Sequence, residues 1–222
     1  MSSSNRNRNT KPNRKYPIRD EKPTILIVCE DSKSSNYYLQ DICRKHHILG
    51  KVKVTPSRLG SAPISVVNYT IELCSDKSAN YDMAFCVIDR DSHQSFDLAI
   101  ETAKSWQAPR GKNTELRTIT SYPCFELWLL IHFKLTTTEY PKFDDILPDL
   151  KHTLREHGYL EDYKKGDKNT FSIFLEEEKT RTAITHAQHL EKEAEKVNSK
   201  NPSTEMHHLF AALNIPKNLN TS

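Results

Sequence analysis

Short apolar runs and amphipathic stretches alternate along the first 135 residues. TILIVC (24–29) is apolar and β-branched at nearly every position, as in a strand buried on both faces. From Ser32 to about His47, Tyr38, Leu39, Ile42 and Ile48 fit one side of a helix, with Ser32 suited as its N-cap. KVKVTPS (51–57) alternates as a second strand and is ended by Pro56. Ile64, Val67, Ile71 and Cys74 recur at helical spacing within 64–75, and DMAFCVI (82–88) reads as a third, buried strand. Phe96, Ala99, Ile100, Ala103 and Trp106 then form one helical face in 95–107. ELRTITSY (115–122) alternates as a fourth strand, and Pro123 opens CFELWLLIHF, a helix apolar nearly all round. The order βαβαβαβα predicts an α/β protein whose mostly parallel four-stranded sheet carries helices on both faces.

Beyond residue 135 the strand pattern stops. Residues 144–156, roughly 170–196 and 203–213 read as helices, separated by polar links holding Gly166 and Pro202. The reading divides the chain into a basic disordered tail (1–22), an α/β core (23–135) and a C-terminal helical elaboration (136–222). No internal repeat is visible.

Composition narrows the class. No run approaches the roughly 18–20 uninterrupted apolar residues of a membrane span, and the N-terminus has no apolar stretch of a secretory signal. Five cysteines (29, 43, 74, 86, 124) never form CxxC, and Cys29, Cys86 and Cys124 sit in apolar runs as small hydrophobes. The expectation is a reduced cytoplasmic protein with no membrane partner, for which homodimerisation stays open. The net charge of +3 hides an asymmetry. Residues 1–20 hold Arg6, Arg8, Lys11, Arg14, Lys15 and Arg19 against Asp20, a net +5, which leaves −2 for the rest. Such a tail either holds nucleic acid through phosphate contacts or only solubilises the chain.

Acids stand where three strands finish. Glu30 follows the first strand, Asp89 and Asp91 follow the third, and Glu126 lies just after the fourth. In an open parallel sheet, ligands bind outside the carboxyl ends of the strands, so these four carboxylates are expected to converge on one edge. Clustered carboxylates repel unless a cation neutralises them, and a hard divalent ion, Mg²⁺ or Mn²⁺, suits oxygen ligands. Each acid also has a plainer explanation. Asp91 or Ser92 can cap the helix that follows the third strand, Glu30 or Asp31 the helix that follows the first, and Glu126 is favoured near a helix N-terminus. Yet Glu126 is flanked by Phe125, Leu127, Trp128 and Leu129, and an acid in a buried helix needs a partner.

ILIVCE (25–30), CVIDRD (86–91), SYPCFELWLLIHF (121–133) and NPSTEMHHLFAAL (201–213) resemble the Toprim-type proteins called RloB or AbiLii, over about residues 23–213. The resemblance implies a Toprim-like core, with Glu30 as catalytic acid/base and Asp89 and Asp91 as catalytic metal-holding residues. Glu126 would complete the Mg²⁺ site, to which Glu30 also contributes. It further implies phage defence by abortive infection, with an operon-encoded ATPase partner of the RloA/AbiLi type and a nucleic-acid substrate, RNA or DNA. Arg6, Arg8, Lys11, Arg14, Lys15 and Lys33 are the expected nucleic-acid contacts. One departure stands out: such proteins usually follow the glutamate with Gly and then a Thr-Glu pair, whereas this chain reads Glu30-Asp31-Ser32-Lys33. Asp31 is thereby either a loop residue or an added ligand.

The expected chemistry is Mg²⁺-dependent phosphodiester cleavage. An Asp89-nucleophile phosphatase and a non-catalytic effector of an ATPase complex are the alternatives. The phosphatase class expects Thr or Val two residues after the second Asp, where this chain has His93. No GxxxxGK[ST] element occurs, so nucleotide hydrolysis falls to the partner. His186 and His189 share a helical face but lack a third zinc ligand; His207 and His208 read as packed or solvent-facing. Tyr37, Tyr38, Tyr159 and Tyr163 are tyrosine nucleophile candidates without a cleavage domain to serve. The cations of 164–168 read as a solvated charge run rather than a phosphate loop.

Overall fold

A computed structural model describes residues 23–91, 93–159, 163–165 and 168–216, with 168–170 described by backbone alone. The basic residues Arg6, Arg8, Lys11, Arg14 and Lys15 lie outside the described residues. The core elements are β1 (Ile25–Cys29), α1 (Ser34–Lys45), β2 (Val52–Pro56), α2 (Pro63–Ser75), β3 (Met83–Asp89), α3 (Phe96–Ser105) and β4 (Glu115–Tyr122). After them come α4 (Glu126–Leu130), α5 (Phe143–Glu156), a 3₁₀ segment Lys168–Phe174, α6 (Glu177–Val197), β5 (Ser203–Thr204) and α7 (Met206–Ala212).

The strand order is β2-β1-β3-β4-β5, with β1 to β4 parallel and β5 antiparallel to β4. This is the mostly parallel α/β sheet that the alternation predicts, and it is consistent with the Toprim-like core that the resemblance implies. It has five strands rather than four, because two residues of the closing motif, Ser203 and Thr204, pair with Tyr122 and Ser121. A two-residue strand leaves no periodic signal in a sequence, and 203–205 had been absorbed into the predicted last helix, which begins at Met206.

The period-two alternation of the strands sorts their side chains into two cores. Ile25, Ile27, Cys29, Phe85 and Val87 face α1 and all the C-terminal helices, in one cluster with Trp128, Leu150, Phe171, Ile184 and Phe210. Leu26, Val28, Ala84, Cys86 and Ile88 face α2 and α3. α1 and the helices after residue 135 thus share one side of the sheet. All five cysteines are buried and unbridged, as their apolar surroundings predict. Among the described residues, no helix is long and apolar enough to cross a membrane.

Several boundaries move. The helix expected from Ser32 starts at Ser34, with Lys33 at its N-cap position. The helix opened by Pro123 shrinks to Glu126–Leu130, and the Tyr122–Pro123 peptide is cis. The helix expected from about 170 starts at Glu177, because the 3₁₀ turn precedes it.

Candidate functional site

The sheet order reverses between β1, which runs on to β2, and β3 on its other side. The crevice of an open α/β sheet lies at such a point, and both strands deliver an acid there. Glu30 leaves β1 with its N–H donating to the Val87 carbonyl (3.0 Å), which fixes its backbone against β3. Its Oε2 in turn accepts the Asp89 backbone N–H at 3.0 Å. Glu30 and Asp89 are therefore locked together by backbone geometry as well as by proximity.

Glu126 arrives from a third direction. It opens α4, is fully buried, and accepts the Tyr163 hydroxyl on Oε1 at 2.9 Å. Its Oε2 has no hydrogen-bond partner. A buried carboxylate oxygen left without a donor is costly unless a cation reaches it. Burial, then the charges of Glu30 and Glu126, push the Asp89 carboxyl well above its ordinary value. Glu30 is raised from 4.5 to about 7, by burial first and then by Asp91 and Asp31, against the opposing Asp89 N–H.

Asp91 is different. Its side chain is exposed, and its backbone N–H donates to the Pro123 carbonyl at 3.2 Å. The following helix begins at Phe96 with Ser95 at its N-cap position, so Asp91 is four residues too early to cap it. The capping explanation for Asp91 is removed. Asp31 takes a loop role: its Oδ1 accepts the Lys33 N–H at 2.8 Å, an Asx-type turn that leads the chain into α1. The side chain of Asp31 thereby supports a loop where the family pattern has glycine.

The structure adds a residue that the sequence had placed in a solvated charge run. Lys165 Nζ lies 4.0 Å from Glu126 Oε1 and 4.9 Å from the centroid of the Phe143 ring. Burial pulls the Lys165 ammonium down, but Glu126, Asp89 and Asp31 together lift it above its ordinary value. Glu30, Asp31, Lys33, Ser57, Ser61 and Lys165 line an open crevice of about 500 Å³. Gly60, at φ +109°, turns the β2–α2 loop there, a backbone conformation that favours glycine. Lys33 thus borders the crevice. No pattern in 57–61 pointed to the site, since that loop is brought in only by sheet order.

The donor set is one that a hard divalent cation fits: oxygen only, several charges, and one buried oxygen unsatisfied. Glu30 lines the crevice, the charges of Glu30 and Glu126 bear on Asp89 behind it, and the charge of Asp91 bears on Glu30. No three of these acids bring their oxygens within 4.8 Å of one another, and Lys165 supplies part of the counter-charge.

His186, Tyr38 and Tyr163 have structural partners. His186 Nδ1 lies 2.8 Å from the Ile131 carbonyl, tying α6 to the end of α4. Tyr38 is fully buried with its hydroxyl 3.2 Å from His132 Nε2, and Tyr163 donates to Glu126, so neither is presented as a nucleophile. No curated protein and no solved structure matches the chain. A family model for RloB-like proteins does match, over residues 25–213, from the first strand to the end of the closing motif. The chain belongs to the RloB-like protein family.

Proposed function

We propose that this chain is a Mg²⁺-dependent phosphodiesterase that cleaves nucleic acid. The observation that carries the reading is the buried, unpartnered Glu126 Oε2 beside the backbone-locked Glu30–Asp89 pair at the sheet's reversal point. Glu30, Asp89, Asp91 and Glu126 would hold the cation, which when bound supplies charge neutralisation and Lewis acidity at the phosphate. Glu30 borders the open crevice, which supports a role for it in taking a proton from the attacking water. The Lys165 ammonium faces the same crevice, where it can pair with a phosphate oxygen and shed its contact with Glu126. Lys33 extends that positive rim towards the substrate backbone, and the basic residues of 1–20 add sequence-independent phosphate contacts. The resemblance to RloB and AbiLii supports a role in anti-phage abortive infection beside an ATPase that supplies nucleotide hydrolysis.

The test is cleavage of radiolabelled tRNA, single-stranded DNA and plasmid by the purified full chain in Mg²⁺, with and without the operon's ATPase. Asp89→Asn and Asp91→Asn are expected to abolish cleavage and to weaken Mn²⁺ binding measured by calorimetry. Wild-type Mn²⁺ affinity in both variants would falsify the metal site. No cleavage of any substrate, with Mn²⁺ bound and the ATPase present, returns the chain to the non-catalytic effector reading.

A further inference from the structure

A second cluster of metal-ligating side chains lies away from the acidic crevice, where α6 meets the start of α7. His207 Nε2 is 3.1 Å from Glu191 Oε2, and His208 Nε2 is 2.8 Å from Glu191 Oε1. Among the described residues, these three are the group whose ligand atoms all lie within 4.8 Å of one another. Adjacent residues of a helix normally diverge, yet the two imidazole rings sit with centroids 3.9 Å apart and both present Nε2 to one carboxylate.

His207 stands between two acceptors. Its Nδ1 lies 3.3 Å from the Thr204 backbone carbonyl, while its Nε2 faces the Glu191 carboxylate. Both neighbours accept hydrogen bonds only, and a neutral imidazole has one N–H to give. The ring is buried, at 5% exposure. In the neutral ring one nitrogen therefore faces an acceptor with no proton between them. A cation at Nε2 removes the conflict and leaves Nδ1–H donating to Thr204. This is the outer-shell arrangement usual for metal-bound histidine.

We propose that Glu191, His207 and His208 form a Zn²⁺ site. Two imidazoles and one carboxylate suit a borderline transition metal and not Mg²⁺, so the site is chemically distinct from the acidic crevice. Three protein ligands leave a fourth position for water or an exogenous donor. Glu191 also lines a cleft of about 320 Å³ shared with Tyr122, Lys200 and Thr204. The ion would tie α6 to the turn that joins β5 to α7.

The proposal stands independently of the phosphodiesterase reading. The full chain, stripped with chelator, is titrated with Co²⁺ and followed by visible absorption, and then Zn²⁺ is added to displace the Co²⁺. One equivalent with tetrahedral cobalt bands is expected, together with a Tm that rises with Zn²⁺. His208→Ala changes a half-exposed side chain, so it tests the site without threatening the fold. Glu191→Gln is the second variant. Loss of an outer-shell partner alone weakens metal binding about 10–100-fold, so each variant is expected to lose at least tenfold in affinity. Asp89→Asn is expected to leave the cobalt spectrum unchanged. Wild-type binding in both variants, octahedral bands alone, no binding, or loss of the tetrahedral bands in Asp89→Asn each overturns the proposal. Loss of cleavage with the cobalt spectrum intact counts only against the phosphodiesterase.

Discussion

Replacing Glu30 by Gln is expected to stabilise the metal-free protein at neutral pH, although it removes a residue from the proposed site. In the folded chain the Glu30 carboxyl titrates at about 7 rather than 4.5, chiefly through burial and then through Asp91 and Asp31. A raised carboxyl binds its proton more tightly in the folded than in the unfolded state. Its contribution to stability is therefore complete below about pH 4.5 and is lost as pH rises through about 7. At 1.36 kcal/mol for each tenfold change, that displacement corresponds to roughly 3 kcal/mol lost by pH 8. Gln keeps a carbonyl oxygen that can accept the Asp89 N–H, so the bond joining β1 to β3 survives.

Wild-type stability alone does not isolate this effect. His132 is held down to about 3 by burial, and His207 is lowered as well, so both add stability as pH rises towards 6.5. The difference between Glu30→Gln and wild type removes those shared contributions. Urea unfolding in EDTA from pH 4.5 to 8 should show a difference near zero at the acid end, growing to roughly 3 kcal/mol in favour of the variant. Saturating Mn²⁺ should erase that advantage, since ligand at 100 times its Kd contributes about 2.7 kcal/mol to the protein that binds it. A difference that is flat with pH, or a wild type more stable than the variant at pH 8 in EDTA, refutes the reasoning about a buried, repelling cluster.

Trp128 is fully buried between the sheet and the C-terminal helices; Trp128→Ala should cost about 3–5 kcal/mol in urea unfolding, and a near-wild-type midpoint would show that α4 does not anchor the core. Lys165→Gln frees Glu126 from its nearby ammonium and should tighten Mn²⁺ binding severalfold in calorimetry while slowing cleavage; unchanged values of both would take Lys165 out of the site. Deleting residues 1–20 removes six cations and should lower the salt slope of nucleic-acid binding by up to about 5, whereas an unchanged slope makes the tail a solubiliser.

The sheet was legible because its strands are buried on both faces and its helices are amphipathic, so the two periods separate cleanly from residue 24 to 122. The acids were legible for the same reason: a carboxylate directly after a buried parallel strand has one edge to occupy. Lys165 was not, because no sequence period records that a cation distant in the chain folds back onto Glu126. The histidines were missed for a similar reason. Glu191 lies sixteen residues before His207, on another helix, and a His-His pair on a short helix carries no metal spacing. Asp31 was read as a loop residue or a ligand, and the bond from the Lys33 N–H shows the loop role.

The closing motif connects the family signature to the acidic edge. Glu205 follows β5, and its N–H donates to the Thr120 carbonyl at 2.9 Å. Its Oε2 accepts both the Thr120 N–H and the Thr120 hydroxyl at 2.8 Å. One side chain thus extends the two-residue ladder of β5 along the outer edge of β4. The inner end of β4 holds the acidic loop: the Ser121 carbonyl accepts the Arg90 N–H at 2.8 Å, and the Pro123 carbonyl accepts that of Asp91. Removing Glu205 leaves the buried Thr120 N–H and hydroxyl without an acceptor, at about 1–3 kcal/mol for each group so orphaned. Glu205→Ala should therefore destabilise the fold, quicken amide exchange at Arg90 and Asp91, and weaken Mn²⁺ binding, although Glu205 is not among the proposed ligands. Glu205→Gln keeps an acceptor oxygen and should recover most of the loss. A Glu205→Ala protein that is less stable but exchanges and binds Mn²⁺ as wild type would confine the clamp to β4 and break the link between the closing motif and the site.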